Sequence, residues 1–349
     1  MRLLITGGCG FVGHHVVEHV LRSTGWEIVV LDGLNYAASA NRLEDLECWP
    51  QERHRVTLLW HDLRAPISDT LHDRIGQVDY VWHLAAESHV DRSLVDSIPF
   101  VTANVLGTAN LLEYVRARQG GLRQYVQFST DEVYGPAPEG TAWREWDRLK
   151  PSNPYAASKA GGDMLALAFA HSFGLPIIVT RTMNVYGERQ HAEKFVPKTV
   201  RAILQGQPVT IHATTAGASR RCWVHARNAA DALLFLAEHG QPGEIYNVVG
   251  QERSVLQLAK LAALTIAGYE PDPGHWTSVH LAEDQIRYVD AHSQRPGHDW
   301  RYALDGSRLA AMGWAPPVPF EESFARTVRW MADPANGRWL GLAAPAARL

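Results

Sequence analysis

A hydroxyl and two adjacent carboxylates, those of Thr130, Asp131 and Glu132, follow a β-rich segment whose alternation predicts a strand over residues 124–128. Ligands of open α/β sheets bind beyond the carboxyl ends of the strands, so these side chains are candidates for a binding or catalytic site. Neighbouring carboxylates repel each other, which raises one pKa and lets the pair divide the work of acid and base. The alternative is a solvated turn, and the triplet alone does not decide between the two.

A second pair able to do chemistry is Tyr155 and Lys159, in a long amphipathic helix predicted over residues 151–173. Residues four apart share one helix face. An ammonium group beside a phenol favours the phenolate, so we expect Lys159 to lower the pKa of Tyr155 and make it a proton acceptor. Such pairs often only decorate a helix surface; the strands and the glycine loop that precede this pair favour a functional role.

The elements that must position these groups begin with a short buried strand, residues 2–6, followed at once by glycines and an amphipathic helix. The loop fits the pattern GxGxxG, which between a strand and a helix is typical of a dinucleotide site. Glycines let the backbone approach a pyrophosphate at the helix N-terminus. That context disfavours the alternative of a merely tight turn. The predicted cofactor contacts of this loop are Gly7, Gly8, Gly10, Phe11, Val12 and Gly13.

A second predicted strand ends at Asp32, about twenty residues beyond the glycines, where a carboxylate can bind ribose hydroxyls and repel a 2′-phosphate. No Arg or Lys follows until Arg42, so we expect NAD rather than NADP. Asp62, after a third strand, could reach an adenine edge or could instead cap a helix. Small residues after a fourth strand would let the backbone approach the cofactor. The further predicted cofactor contacts are Leu63, Ala85, Ala86, Tyr155 and Lys159.

The chain has 349 residues, a net charge of -4 and 46% hydrophobic residues, enough for one large or two intimate domains. The mild acidity gives no reason to expect a nucleic acid or a membrane as a partner. The three cysteines lack a CxxC pattern and the 17 histidines lack metal-ligand spacing, so we expect neither disulfides nor a metal site. Without a signal-peptide or transmembrane pattern, we expect a soluble, cytoplasmic protein.

The order of elements predicts an α/β fold. Regular alternation of strand and helix continues to about residue 183 and then gives way to shorter elements and polar loops. We therefore predict a Rossmann-type, doubly wound parallel sheet over residues 1–183. A smaller, interlocking α/β substrate domain is predicted over residues 184–349, with segments that return to the first domain. Arg and Lys in its loops suit a diphosphate-bearing ligand, although each could be ordinary surface.

Together these segments resemble the nucleotide-sugar 4,6-dehydratases, of the dTDP-glucose 4,6-dehydratase type, in the extended short-chain dehydrogenase/reductase family. The resemblance covers almost the whole chain, and the acidic pair is its most specific part. Sugar-nucleotide epimerases lack that pair, and decarboxylases usually keep only the Glu. The motifs that carry the resemblance are TGGxGFxG at 6–13, HLAAESHVDRS at 83–93, STDEVYG at 129–135, PYxASK at 154–159, NxYG at 184–187 and RPGHDxRY at 295–302.

The resemblance implies NAD-dependent dehydration of an NDP-hexose, with dTDP-glucose favoured. Tyr155, beside Lys159 and NAD⁺, would take the proton of the sugar O4 while hydride leaves C4, and Thr130 would hydrogen-bond the same oxygen. Glu132 would then remove the C5 proton, and protonated Asp131 would give its proton to the departing C6 hydroxyl. Return of hydride to C6 would give a 4-keto-6-deoxy sugar.

The ligand side matches the family less well. The acidic residue that follows the family's Arg is Cys222 here, and the usual Gly-Asp-Gly segment before it is altered. These departures leave open UDP-glucose or another NDP-sugar, and an epimerase or decarboxylase of the same fold. A non-catalytic NAD-binding scaffold is a further class, disfavoured because Tyr155 and Lys159 are both present. The implied substrate contacts are Ser88, Asn184, Glu193, Lys194, Arg221, Arg295 and His298.

The resemblance also implies a homodimer. The predicted helices near residues 98–117 and 151–173 keep apolar positions that could form a two-fold helix bundle. The alternative is that both helices simply cover the sheet.

Overall fold

The computed structural model describes residues 1–214, 217–269, 283–290 and 300–342. Its strands are β1 (Arg2–Thr6), β2 (Glu27–Asp32), β3 (Val56–Trp60), β4 (Tyr80–His83), β5 (Gln124–Thr130), β6 (Ile177–Thr182), β7 (Asn184–Tyr186), β8 (Val209–Thr214), β9 (Gly217–Ala218), β10 (Arg220–His225), β11 (Ile245–Val248), β12 (Gln251–Ser254) and β13 (Ile286–Asp290).

Its α-helices are α1 (Phe11–Ser23), α2 (Asn41–Glu44), α3 (Trp49–Glu52), α4 (Asp69–Ile75), α5 (Val90–Val95), α6 (Ile98–Val101), α7 (Gly107–Arg118), α8 (Pro154–Phe173), α9 (Phe195–Leu204), α10 (Ala226–His239), α11 (Val255–Ile266), α12 (Ser307–Ala311) and α13 (Phe320–Ala332). A π-helical segment, Thr102–Leu106, joins α6 to α7. Short 3₁₀ turns cover Arg53–Arg55, Asp131–Tyr134, Glu283–Gln285 and Pro334–Leu340.

The main sheet has seven parallel strands in the order β11-β6-β5-β4-β1-β2-β3. Strands such as β1 and β6 are almost fully buried and rich in Ile, Leu and Val, as parallel strands covered on both faces must be. One face packs against α1 and α10, through residues such as Val16 and Leu233. The other face packs against α7 and α8, through residues such as Leu111 and Ala166. The predicted doubly wound sheet is confirmed.

The second half of the chain forms two three-stranded sheets, β12-β10-β7 and β13-β8-β9, beside a core that includes Tyr186, Trp223 and Phe324. Part of this half returns to the main sheet, because β11 pairs in parallel with β6 and α10 packs on α1. The division at residue 183 stays a prediction.

The helix predicted over residues 151–173 begins at Pro154. Asn153 is its N-cap, and its side-chain oxygen accepts from the Ala156 N–H at 2.9 Å. Proline follows at the first helical position, which its fixed φ suits. Gly174 ends the helix at a φ of +67°, in the left-handed region that favours glycine.

Within the described ranges, we find no helix that combines the length and the apolar character needed to cross a membrane.

Candidate active site

A cavity of about 370 Å³ lies beyond the carboxyl ends of β1, β2, β4, β5 and β6. It brings together most of the side chains that the sequence predicts for the cofactor, the substrate and the chemistry. Those that line it are Gly7, Gly10, Phe11, Val12, Gly13, Asp32, Asp62, Leu63, Ala85, Ala86, Ser88, Thr130, Asp131, Glu132, Tyr155, Lys159, Asn184, Glu193 and Lys194.

Two predicted contacts lie elsewhere. Gly8 packs on the sheet, where an added Cβ would come within 2.7 Å of Val30, so its role is close packing of the loop rather than cofactor contact. The Arg221 guanidinium does not line the cavity; it donates to the Trp300 carbonyl at 2.9 Å and lies 4.8 Å from the ring centroid of Tyr302. Arg295 and His298 lie outside the described residues.

The glycine loop has the geometry that a pyrophosphate needs. A Cβ on Gly13 would lie 2.0 Å from the Gly7 carbonyl oxygen, and one on Gly7 would lie 2.7 Å from the Ala85 nitrogen. Gly7 also has a φ of +74°. Helix α1 begins directly after the loop without a side-chain cap, so its first N–H groups remain available for an anion. The loop therefore fits a dinucleotide.

Asp32 lies at the carboxyl end of β2, as predicted, and is 5% exposed. It accepts from the Cys9 N–H at 2.9 Å and the Leu34 N–H at 2.8 Å, and each oxygen can still accept from a ribose hydroxyl. Arg42 is buried and donates to the carbonyls of Cys9 and Arg189, both at 3.1 Å. Its guanidinium is thus bound by the backbone, which agrees with the expected preference for NAD.

Asp62 lines the cavity and pairs with Arg64, which also lies there. That pairing lowers the pKa of Asp62 and keeps it ionised. The alternative role of helix cap is wrong, because Ser68 caps α4 through the Leu71 N–H. The sequence pattern did not show the pairing with Arg64.

The acidic pair lies in the 3₁₀ turn after β5. The Thr130 hydroxyl donates to Asp131 Oδ1 at 2.9 Å and accepts from the Glu132 N–H at 3.3 Å. Burial, followed by repulsion from Glu132, raises the pKa of Asp131 to about 7. Asp131 Oδ2 makes no hydrogen bond within the described residues. A buried carboxylic acid of this kind can carry a proton at neutral pH and give it away.

Helix α8 is fixed to the same turn. Asn153, its N-cap, donates from Nδ2 to Glu132 Oε2 at 3.0 Å, so the residue that starts the helix also orients one carboxylate. Lys159 Nζ donates to the Phe128 carbonyl of β5 at 2.7 Å. The Thr130 hydroxyl lies beside the Tyr155 phenol. The helix N-terminus and the strand end thus position each other.

The structure contradicts the expected lowering of the Tyr155 pKa. Burial and the carboxylate of Glu132 raise it, because both disfavour the phenolate, and the nearby Thr130 hydroxyl only partly opposes them. Burial also lowers the pKa of Lys159 to about 8, with Asp163 acting in the opposite direction. Tyr155 is therefore protonated in the protein by itself, and its use as a base requires further positive charge.

A loop that the sequence did not assign to the site, the one that carries Tyr36, meets predicted residues across the cavity. Tyr36, from the loop after β2, donates to Glu193 at 3.1 Å, and the Arg92 guanidinium lies 3.6 Å from its ring centroid. Lys194 donates to the Ser88 carbonyl at 3.1 Å. Tyr36 lies only four residues beyond Asp32, which is the one local signal that could have found it. Other lining residues that were missed are Asn35, His61, Gln190, His191 and Trp223.

Comparison with known proteins agrees with this geometry. The family model described as GDP-mannose 4,6 dehydratase matches residues 4–327. The chain belongs to this family. The resemblance to nucleotide-sugar 4,6-dehydratases of the extended short-chain dehydrogenase/reductase type is thereby confirmed, and with it the hydro-lyase class and the NAD cofactor.

Known dehydratases are similar to this chain over nearly its whole length. It is 38% identical to the dTDP-glucose 4,6-dehydratase of Streptomyces griseus, with 94% of this chain and 93% of that protein covered. It is 33% identical to a trifunctional UDP-glucose 4,6-dehydratase of Arabidopsis thaliana, covering 97% of this chain and 48% of that protein. The structure of DesIV, a dTDP-glucose 4,6-dehydratase from Streptomyces venezuelae with NAD and dTDP bound, aligns with a TM-score of 0.83 at 36% identity, covering 98% of this chain and 100% of that one.

Proposed function

We propose that this dehydratase converts dTDP-glucose to the dTDP-4-keto-6-deoxyhexose with NAD as a cofactor that is regenerated in each turnover. One observation carries the proposal: Asp131 and Glu132 line the same cavity as Tyr155, Lys159 and the glycine loop. An epimerase would need no such acidic pair.

The cofactor would lie on the glycine loop, with its pyrophosphate at the N-terminus of α1 and a ribose at Asp32. Ala85 would lie close to the cofactor, because its backbone packs against Gly7: a Cβ built on Gly7 would lie 2.7 Å from the Ala85 nitrogen. When bound, NAD⁺ supplies the hydride acceptor and a positive charge.

Oxidation at C4 is assigned to Tyr155, Lys159 and Thr130. Tyr155 takes the proton of the sugar O4, and its raised pKa means that the phenolate forms only beside positive charge. The ammonium group of Lys159, one turn further along α8, and the positive charge of bound NAD⁺ would supply it together. Thr130, beside Tyr155, would hydrogen-bond the same sugar oxygen.

Elimination of water is assigned to the acidic pair. The ketone at C4 acidifies the C5–H, and Glu132, held by Asn153, removes that proton as the base. Asp131 protonates the departing C6 hydroxyl from the carboxyl oxygen that has no other partner in the described chain. The two acids divide the work because burial and repulsion from Glu132 raise the pKa of Asp131 to about 7, so that it can hold a proton near neutral pH.

Contacts to the nucleotide sugar are assigned mainly to residues of the second half. Asn184, Glu193 and Lys194 line the cavity, and Lys194 donates to the carbonyl of Ser88, in the loop after β4. The positive charge of Lys194 suits the diphosphate. Arg221 lies outside the lining but close enough to favour the ionised form of Asp131. UDP-glucose is a second candidate substrate, favoured by the similarity to the Arabidopsis protein.

The test is incubation of the purified protein with dTDP-glucose and, separately, UDP-glucose, followed by mass spectrometry of the nucleotide sugar. Loss of one water from dTDP-glucose, at the higher kcat/KM of the two, is the expected result. No dehydrated product from any nucleotide hexose would refute the proposed function. Isomerised sugar of unchanged mass would instead indicate an epimerase.

We also propose that the enzyme is a homodimer through α6, α7 and α8. These neighbouring helices leave apolar side chains uncovered: Ile98 is 65% exposed, Val101 47% and Met164 46%. Charged residues would be expected there on a monomer surface. Sedimentation should show a dimer for the wild type and a monomer for Met164→Glu. A wild-type monomer at working concentration would contradict the proposed homodimer.

We further propose a cytoplasmic location. Cys9, Cys48 and Cys222 are all free thiols, which suits a reducing compartment. Fractionation of the source cells with an antibody to the protein tests this, and recovery from an oxidising compartment would contradict it.

A further inference from the structure

A buried ion pair lies behind the catalytic face of α8, between Asp163 and Arg181 of β6. Arg181 Nε is 3.1 Å from Asp163 Oδ2, and the side chains are 1% and 0% exposed. Removing two charges from water costs about as much as their attraction returns, so stability alone is a weak reason for such a pair. The position of this pair, behind the catalytic face of α8, suggests a role in the reaction.

Asp163 lies four residues after Lys159 and eight after Tyr155, so the three side chains share one face of α8. Ser129, directly before the catalytic turn, lies against the same carboxyl group and favours its ionised form. Asp163 Oδ1 accepts no hydrogen bond of standard geometry within the described residues. Burial raises the pKa of Asp163, and the charges of Arg181 and Lys159 oppose that effect and favour the carboxylate.

Arg181 is itself held in place. Its Nη1 donates to the Tyr134 hydroxyl at 2.7 Å and to the Glu145 carbonyl at 2.8 Å. Tyr134 ends the 3₁₀ turn that carries the acidic pair. The ion pair thus joins the helix of Tyr155 to the turn of Asp131 through fixed contacts on both sides.

We propose that Asp163 is a positioning residue for the dehydration, which acts by placing a paired negative charge behind the ammonium group of Lys159. The inference rests on the function proposed above for Tyr155 and Lys159. Burial of Lys159 favours its neutral form, and Asp163 opposes that effect. Without the carboxylate, Lys159 would lose its proton at lower pH, and the positive charge that Tyr155 needs would be lost with it.

The other groups around this charge do not titrate in the same way. Burial raises the pKa of Tyr134 to about 12 and lowers that of His83, beside Lys159, to about 3. Asp131 titrates near neutral pH, but its proton is used only after hydride has left C4. The rate of NADH formation in a single turnover therefore reports the protonation of Lys159 separately from that of Asp131. The charged or titratable groups that face Asp163 or Lys159 are Tyr155, Arg181, Tyr134 and His83, and the neutral hydroxyl of Ser129 lies against Asp163.

Asp163→Asn keeps the size of the side chain and removes its charge. Stopped-flow experiments with dTDP-glucose measure the rate of NADH formation as a function of pH. The pH at which this rate falls on the alkaline side should be about one to two units lower in the variant than in the wild type, as expected for the loss of a charge about 6 Å from Lys159. Rates at the acid end and the KM for the nucleotide sugar should stay within about twofold, because Lys159 is protonated there in both proteins. Glu188→Gln is the matched control, because it breaks another buried pair, that of Glu188 with His225 at 3.1 Å. This variant should lose its rate of NADH formation at the same alkaline pH as the wild type.

The double variant Asp163→Asn/Arg181→Met guards against a folding defect, since removing both buried charges is often tolerated where removing one is not. It should show the same downward displacement, because Asp163 is the charge that acts on Lys159. An alkaline limb at the wild-type position in both variants, or a loss equal at every pH, would overturn the inference. Failure of the wild type to form NADH or dehydrated product with any nucleotide hexose would instead refute the proposed function.

Discussion

Asp131→Asn tests the division of labour in the acidic pair. Asparagine has nearly the same shape, and its amide oxygen can keep the bond that the Thr130 hydroxyl donates at 2.9 Å. It cannot protonate the departing C6 hydroxyl. General acid catalysis contributes about 10²–10⁴-fold, so we expect dehydration to slow by that factor. Oxidation at C4 does not use Asp131, so NADH should accumulate in the variant.

The same substitution has a thermodynamic signature that needs no substrate. The pKa of Asp131 is raised from its ordinary 3.8 to about 7. A raised carboxyl pKa means that the folded state holds the proton more tightly, so stability is lost as pH rises from about 4 through 7. One pKa unit corresponds to about 1.4 kcal/mol, so Asp131 costs about 4 kcal/mol at pH 8 and about 1.5 kcal/mol at pH 5.

Urea unfolding of both proteins at the two pH values measures this cost. Asp131→Asn should be more stable than the wild type, and its advantage should be about 2.5 kcal/mol larger at pH 8 than at pH 5. Asp305→Asn is the control. Asp305 Oδ1 accepts from the Ser307 N–H at 2.8 Å, and hydrogen bonds from Ser307 lower its pKa, so its ionised form stabilises the fold at both pH values. That variant should lose stability by the same amount at each.

Two results would refute the reasoning. Dehydration by Asp131→Asn at the wild-type rate would show that Asp131 is not the acid. A stability difference that does not change between pH 5 and pH 8 would show that its carboxyl group is not held neutral in the folded protein.

Three further substitutions test the cofactor site and the base. Tyr155→Phe removes the group that takes the O4 proton; neither NADH by absorbance nor dehydrated product by mass spectrometry should appear. Asp32→Asn removes a charged acceptor; titration calorimetry should show NAD bound about tenfold or more weakly, with less discrimination against NADP. Gly13→Ala places a methyl group 2.0 Å from the Gly7 carbonyl; the purified variant should contain no bound NAD by its absorbance.

Features encoded over short distances in the chain could be predicted from the sequence. Gly7 and Gly13 lie between a strand and a helix, and Asp32 ends the next strand, so their spacing alone places them at one edge of a parallel sheet. The interval from Tyr155 to Lys159 fixes a shared helix face in the same way. These residues line one cavity, while their catalytic roles stay predictions.

Contacts between distant segments could not be predicted. Tyr36 and Glu193, which share a hydrogen bond, are separated by 157 positions, and Lys194 and Ser88 are separated by 106. The pKa of Tyr155 was misjudged for the same reason. Its neighbour in sequence is a cation, whereas burial and the carboxylate of Glu132, brought from another element, decide its protonation.

Proton balance gives Thr130 a further part in turnover. The proposed chemistry leaves Tyr155 with the proton from O4 and Asp131 without the one it gave to water, so a proton must return from Tyr155 to Asp131. Thr130 donates to Asp131 Oδ1 at 2.9 Å and lies beside the Tyr155 phenol. Because a hydroxyl has one hydrogen, the Thr130 oxygen is left to accept a proton from Tyr155 during this return. The chain of hydroxyls therefore runs in the direction that the return requires.

Thr130→Val breaks this chain, so the kcat of the variant should be lower than that of the wild type. The kcat of the variant should also increase with buffer concentration at constant ionic strength, because buffer species then carry the proton. Thr130→Ser should stay insensitive to buffer, and a buffer-independent kcat in the valine variant would exclude the relay.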